Sequence, residues 1–502
     1  MAELQQDTRG VLRTRDIDQD GVKVVRKLLA AGHEAYFVGG CVRDLYLRRK
    51  PKDFDVATSA TPEEIRRLFR NSRLIGRRFR LVHVYFGQKI IETSTFRSAP
   101  TADEADPLIR HDNEWGSVED DARRRDFTVN GLFYDVETRR IVDFVDGIDD
   151  LDAGVIRTIG EPELRFREDP VRMIRAIKFA ARLDFGIEPR CWDALLAVAP
   201  DIAKCSRARV LEEIYKLMRG GAARRSFELM FVAGLLQRIW PPYVALLQKY
   251  GPLPARLADA KPDHPAIGLL RHLDALDAYV LETRQAVGNG VLQATLFAPF
   301  LGEEMRSSPR HELDPLIENV MSEPCVHLSV SRRDRELARQ IIMAHRRMAH
   351  HGPTRRRTSL VQRQYFHDAL IFLGISVEAR GGDGGELREW RALADLQAHE
   401  AESVDLRLPR RKRSRRRRGP SSASGKSGHS RHSGAAERAS DPEGRGGSGG
   451  SGGAEGSGGS GGSGGAEGSG GAEGSGGRSA VGKEREVRRV SRTRRGRSDG
   501  EA

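Results

Sequence analysis

Two carboxylates set one residue apart, Asp53 and Asp55 in Asp53-Phe54-Asp55-Val56, are where chemistry could begin in this chain. Side chains alternate along a strand, so both acids would face one side while Phe54 and Val56 enter a core. Carboxylates fixed in this way form a hard-oxygen site for divalent cations such as Mg2+. Upstream stands Gly39-Gly40, followed by a short helical segment over 42–47. Glycines admit a phosphate close to the backbone, and amides at a helix start can hold it. Arg43 and Asp44 lie between the glycines and the acids, and a guanidinium suits phosphate oxygens. Glu92 sits among Ile90, Ile91 and Thr93. A carboxylate inside a strand is costly unless it meets an ion, a donor or water. Glu92 is therefore either a third acidic group or an outward-facing strand residue. This is equipment for phosphoryl or nucleotidyl transfer: Asp53 and Asp55 would hold two ions, with Glu92 supporting the one on the attacking side.

The elements that must position these groups follow from periodicity. An amphipathic helix is expected over 18–31, with Gly32 as its stop. Strands are expected over 35–38 and 53–57. Thr61-Pro62-Glu63-Glu64 starts a helix that runs to about residue 70. A strand pair over 74–86, a strand over 89–95, a flexible loop or lid over 98–114, a helix over 117–125 and a strand over 139–144 complete an α+β head with a mixed sheet. Beyond residue 150 the pattern is helical. Asp169 is expected to cap a long helix with Pro170 in its first turn. Arg172, Arg175, Lys178 and Arg182 form a basic stripe on that helix, either a solvated face or a ligand surface. Further helices are expected over 207–219, 227–239, 267–287, 292–301, 332–348 and 360–373. The chain divides into a flexible start (1–15), a catalytic head (16–150), a helical neck (151–270), a helical body (271–405) and a disordered basic, Gly/Ser-rich tail (406–502).

The 502 residues carry a net charge of +13, which suits a polyanionic partner such as RNA. Two basic blocks, 408–420 and 485–497, flank repeated AEGSGG units that cannot bury enough apolar surface to fold. The tail reads as an RNA tether or as a solubilising extension. Cys41, Cys191, Cys205 and Cys325 lack metal-ligand spacing and fit reduced thiols in a cytoplasmic protein. No apolar run reaches 18 residues, so no membrane span is expected.

The segments VGGCVRD (38–44), KDFDVAT (52–58), GRRFRLVHV (76–84), IETSTFR (91–97), RRRDFTVNGLFYD (123–135), DFVDGIDDL (143–151) and RFREDPVRMIRAIKFAARL (165–183) occur in the order seen in one family. The chain resembles the class II nucleotidyltransferases, which comprise tRNA CCA-adding enzymes and bacterial poly(A) polymerases. GRRFRLVHV is similar to the poly(A) polymerase signature. The resemblance implies template-independent addition of AMP from ATP to RNA 3′ ends with release of pyrophosphate, in RNA polyadenylation and turnover, using Mg2+. It implies that Gly39, Gly40, Arg43 and Asp44 serve the triphosphate end, that Arg124, Arg125, Asp126 and Asn130 orient the nucleotide, and that Asp169 and Arg172 read the base edge. RNA-decay or RNA-chaperone proteins could engage the basic tail. Gly131 departs from the Ser or Ala more usual after the Asn, and Cys41 takes a variable place in the glycine motif. A CCA-adding enzyme is the near alternative. His367-Asp368 has no surrounding histidines, so a helical placement accounts for it better than a metal-binding pair. A non-catalytic RNA-binding protein on the same fold is the other alternative.

Overall fold

A computed structural model describes residue 12 and residues 14–76, 80–98, 115–349 and 359–407. The expected lid, most of the flexible start, Arg77 and Arg78, and the tail beyond 407 lie outside the described residues. The head begins with α1 (Gln19–Ala30), whose cap is Asp18: its carboxylate accepts from the amides of Asp20 and Gly21. Then follow β1 (Ala35–Val38), α2 (Gly40–Tyr46), β2 (Asp55–Thr58), α3 (Pro62–Leu68), β3 (Ser72–Ile75), β4 (Leu81–Phe86) and β5 (Lys89–Thr95). Next are α4 (Val118–Arg123), β6 (Phe133–Asp135) and β7 (Arg140–Val142). α3 starts where its residues dictate, with Thr61 and Glu64 exchanging a reciprocal capping box and Pro62 in the first turn.

The seven strands form one sheet in the order β3-β4-β5-β2-β1-β6-β7. β2 and β5 run parallel, and the other neighbours are antiparallel. Period-two alternation gives the sheet two buried faces. Phe37, Val56, Val82, Val84 and Ile91 pack on one side with Val24, Val25 and Leu28 of α1. Val38, Ala57, Phe96, Ala122 and Phe133 form a smaller core on the other. Asp55 and Glu92 belong to this second face. The α+β head with a mixed sheet, followed by helices, is the architecture expected from the sequence.

The helical part contains α5 (Gly147–Ala153), α6 (Pro162–Glu168), α7 (Val171–Leu183), α8 (Pro189–Val198), α9 (Arg207–Met218), α10 (Ala223–Val232), α11 (Leu235–Ile239) and α12 (Pro241–Gln248). It continues with α13 (Pro265–Thr283), α14 (Asn289–Ser307), α15 (Leu313–His327), α16 (Arg332–Ala349), α17 (Phe366–Ala379) and α18 (Gly385–Arg407). The single helix expected over 227–239 is two, because Gly234 adopts φ 69° and turns the chain between α10 and α11. His367 and Asp368 fall in the first turn of α17, a helical placement as expected. Among the described residues no helix is long and apolar enough to cross a membrane.

The helical part is fastened to the head through α7. Asp44 of α2 is buried and accepts from Arg43 Nε at 2.9 Å and from Arg182 Nη2 at 3.1 Å. Arg49 donates to the carbonyls of Arg182 and Leu183, each at 3.2 Å. Arg182 is thus a clamp on Asp44 while itself remaining exposed on the face of α7. Removing a buried carboxylate that two guanidiniums share strands their charge. We expect Asp44→Ala to lower folding stability by about 3–5 kcal/mol in urea titrations. A loss within the range of ordinary surface substitutions would contradict this role.

Candidate active site

β2 begins at Asp55, and Asp53 precedes the strand. The expectation that both acids lie on one strand is corrected. β1 pairs with β2 only from Ala35↔Thr58 to Phe37↔Val56 and then turns into α2 at Gly39, which leaves residues 53 and 54 no partner of equal length. Asp53 is free to face solvent, with its side chain 69% exposed and Lys52 Nζ at 3.7 Å. Phe54 still packs inward, edge-on to Phe37.

The parallel pairing aligns Asp55 with Glu92, which puts both carboxylates on one face of the sheet. Glu92 is not the costly buried acid: its side chain is 54% exposed, with His83 Nε2 3.5 Å away on β4. Asp55 is more enclosed. Burial and the charge of Glu92 push its carboxyl up, Arg125 pulls it down and Asp53 adds to the rise, leaving it at about 6. Beside it the Cys41 thiol is pushed up to about 12, chiefly by burial, which leaves it neutral and no nucleophile.

Three carboxylates with excess negative charge between them are a donor set that fits a hard divalent cation. Among the described residues, however, no three carboxylate, imidazole or thiolate groups already converge to hold an ion. Asp53 would have to swing in from solvent.

Gly39 caps α2 at φ 72°, a conformation that favours glycine, and a Cβ there would stand 3.2 Å from Arg125 Nη1. Its amide donates to Leu132 O at 2.9 Å and so belongs to the sheet, not to a ligand. Helix geometry leaves the amides of Gly40, Cys41 and Val42 without intrahelical acceptors. Arg125 is the cation between the glycine turn and Asp55. Asp121 holds it there, taking Arg125 Nη2 at 2.8 Å on one oxygen and Arg124 Nε at 2.9 Å on the other. The Arg125 guanidinium also lies 5.3 Å from the Phe133 ring centroid.

Arg43, expected at the phosphate, is turned inward. It pairs with Asp44 and donates to Asn130 Oδ1. Asn130 Nδ2 donates to Asp126 at 3.1 Å, and Asp126 also takes Arg175 Nε at 2.7 Å. Burial alone would raise Asp126, but Arg175, Asn130 and Arg172 hold it at about 2. Arg43, Asp44, Asp126 and Asn130 therefore spend their polar groups on one another and form a support beneath the glycine turn. Phe179 sits within it, with Arg43, Arg175 and Lys178 at 5.3, 5.3 and 5.0 Å from its centroid. Lys178 is no solvated residue either: it donates to the buried Glu213 of α9 at 2.7 Å. Burial would raise Glu213, and Lys178 and Arg175 hold it at about 2. Gly131 has a local reason, since a Cβ would meet Val145 Cγ2 at 2.6 Å.

Asp169 closes α6 in an extended conformation (φ −147°, ψ 90°) and does not cap α7, which corrects the expected helix start. Arg209 of α9 donates to its Oδ2 at 2.6 Å. Its Oδ1 is buried and has no hydrogen-bond partner among the described residues. Arg172 donates through Nη1 to Arg165 O at 2.8 Å and to Glu168 at 2.7 Å. Arg165 in turn donates to the carbonyls of Arg124 and Arg125, both at 2.7 Å, and so ties the two ends together. Sequence reading passed over Asp121, Arg165, Arg209 and Glu213. Asp121 alone left a local signal, standing three and four residues before Arg124 and Arg125.

A mixed sheet with an Asp55–Glu92 pair beside a glycine turn defines a nucleotidyltransferase head. Family models agree: the poly A polymerase head domain matches residues 35–157, the probable RNA and SrmB-binding site of polymerase A matches 184–247, and the polymerase A arginine-rich C-terminus matches 308–422. Poly(A) polymerase I of Salmonella typhimurium is 35% identical over 80% of this chain and 89% of its own length. A CCA-adding enzyme of Bacillus velezensis is 36% identical over 44% of this chain and 57% of its own. The crystal structure of Bacillus stearothermophilus CCA-adding enzyme in complex with CTP superposes with a TM-score of 0.51 at 26% identity, covering 75% of this chain and 81% of that one. The chain belongs to the class II nucleotidyltransferase and poly(A) polymerase family, enzymes that add nucleotides to RNA 3′ ends.

The raised Asp55 carries a consequence of definite sign. Its folded value lies above the ordinary carboxylate value, so its contribution to stability is complete below about 4 and is lost progressively as pH rises from there through about 6. We expect Asp55→Asn to stabilise the ion-free protein at pH 7.5 by about 1–3 kcal/mol while abolishing nucleotide transfer. Denaturant melts at pH 3.5 and pH 7.5 check this, with the gain small at the lower pH and full at the higher.

Proposed function

We propose that the chain is a polynucleotide adenylyltransferase that extends RNA 3′ ends with AMP from ATP and releases pyrophosphate. One observation carries the choice of product: the likeness to poly(A) polymerase I spans 80% of the chain, whereas the likeness to the Bacillus velezensis CCA-adding enzyme spans 44%. The polymerase A arginine-rich C-terminus also matches, over residues 308–422.

Asp53, Asp55 and Glu92 are the catalytic carboxylates in this reading, and Asp53 and Asp55 would hold Mg2+. Bound ions would lower the pKa of the attacking 3′-hydroxyl and neutralise the triphosphate. Gly39 and Gly40 let the phosphates approach the backbone, and Arg125 meets them. Arg43, Asp44, Asp126 and Asn130 hold that floor rigid. Arg124 fixes Asp121 and, through it, Arg125. Asp169 and Arg172 offer an acceptor and a donor in place of a template base, and the unpartnered Asp169 Oδ1 supports this. We assign the head to 16–150, the neck to 151–270, the RNA-binding body to 271–405 and the tail to 406–502, with RNA-decay or RNA-chaperone proteins as partners of the tail. A cytoplasmic setting accords with four cysteines that are all free thiols.

The deciding experiment extends a labelled unstructured RNA and a tRNA lacking its CCA end, with ATP, CTP or both. Long ladders with ATP alone, lost in Asp53→Ala/Asp55→Ala, are expected. Arrest after C, C and A on the tRNA would overturn the adenylyltransferase reading. RNA binding without extension would favour a non-catalytic protein. Asp169→Ala is expected to reduce ATP preference over CTP at least tenfold in kcat/KM, as loss of a base-edge hydrogen bond does.

A further inference from the structure

α13, α16 and α17 meet at the ring of Phe372. His272 of α13 stacks on it with centroids 6.4 Å apart, and His345 of α16 meets it edge-on at 5.3 Å. One turn further along the same face of α17 stands Ser376. Arg380 follows after another turn, and its Nε donates to Ser376 O at 3.1 Å. His345 is 8% exposed and Ser376 2%. Both imidazole nitrogens of His345 and the Ser376 hydroxyl are buried without a hydrogen-bond partner among the described residues. A protein interior rarely tolerates such atoms unless something else satisfies them. His272 is half-buried and Arg380 exposed, so the cluster reaches the surface.

The chemistry of the missing partner follows from the groups present. His272 Nδ1 meets Gly268 O at 2.8 Å, so a neutral ring carries its proton there. The charge acting on both rings is that of Arg380, and it adds to burial in pushing His345 down to about 3. Among the described residues no carboxylate acts on either ring. A cation would meet the Arg380 charge with nothing to offset it. An oxyanion would balance it and accept from the guanidinium, the hydroxyl and an imidazole N–H at once.

We propose that His345, Ser376, His272 and Arg380 form a phosphate-binding site on the helical part of the chain. The bound group is either free phosphate or one phosphate of an RNA backbone. The site does not depend on the adenylyltransferase reading, since no residue in it belongs to the catalytic head.

Thermal unfolding of the full chain in inorganic phosphate, against sodium chloride of equal ionic strength, tests the proposal. Phosphate should raise Tm by a few degrees more than chloride, as a ligand that binds only the folded state does. That excess should shrink in Arg380→Gln and Ser376→Ala and vanish in His345→Phe. If His345→Phe fails to fold, the other two variants decide. Equal effects of the two salts would overturn the site and leave the cluster to water. An excess undiminished in Arg380→Gln and Ser376→Ala would also overturn it, because the phosphate would then bind elsewhere. Binding of an unstructured oligoribonucleotide separates the two sources. Competition by phosphate, with several-fold weaker RNA binding in Arg380→Gln, assigns the backbone. RNA binding indifferent to both, with the Tm excess retained, assigns free phosphate.

Discussion

The structure depends on a closed circuit of polar pairs, buried at its centre and anchored at both ends on α7. From Arg175 on α7 it passes through Asp126, Asn130, Arg43 and Asp44 and returns to α7 at Arg182. Phe179 stands between the two ends on the same helix. Burial alone pulls Arg43 below its ordinary value and Asp126 above its own, so neither charge would be tolerated without the next member of the circuit. The arrangement fixes where α7 stands relative to the turn from β1 to α2. Gly39, Arg125 and the Asp169 end of α6 take their places from that one relation.

Support and reactive groups are thereby separated. The middle of the circuit, from Asp126 to Asp44, is buried and paired, whereas Asp53 and Glu92 face solvent and Asp55 stands between two acids and one arginine. A site that must receive highly charged reactants keeps its charge uncompensated where they arrive and satisfied just beneath. Local rules are broken at Asp55 and Asp169 Oδ1, where function would repay the violation.

What the sequence revealed was what neighbours along the chain decide. The strand 35–38 could be read from apolar residues ended by a glycine pair, and the strand over 81–86 from its alternation. The α3 start was written in Thr61-Pro62-Glu63-Glu64. The Asp53 side chain was misplaced because the length of β2 is set by β1, not by its own residues. Arg43 was assigned to phosphate because residue type suggests a partner, yet its real partner Asn130 lies 87 positions away. Arg209 escaped notice for the same reason: its role appears only when Asp169, 40 positions earlier, is brought beside it. α15 and α18 were not read, although Leu313, Ile317, Val320 and Met321 of α15 fall at helical spacing and are buried.

The parallel alignment of β2 with β5 has a consequence for how the protein comes into being. Parallel neighbours cannot be joined by a tight turn, so α3, β3 and β4 must all be laid down between Asp55 and Glu92. Contacts that wait on such a closure form late on the route to the native state. A nascent or partly unfolded head therefore has both acids but not their juxtaposition until the elements between them are in place.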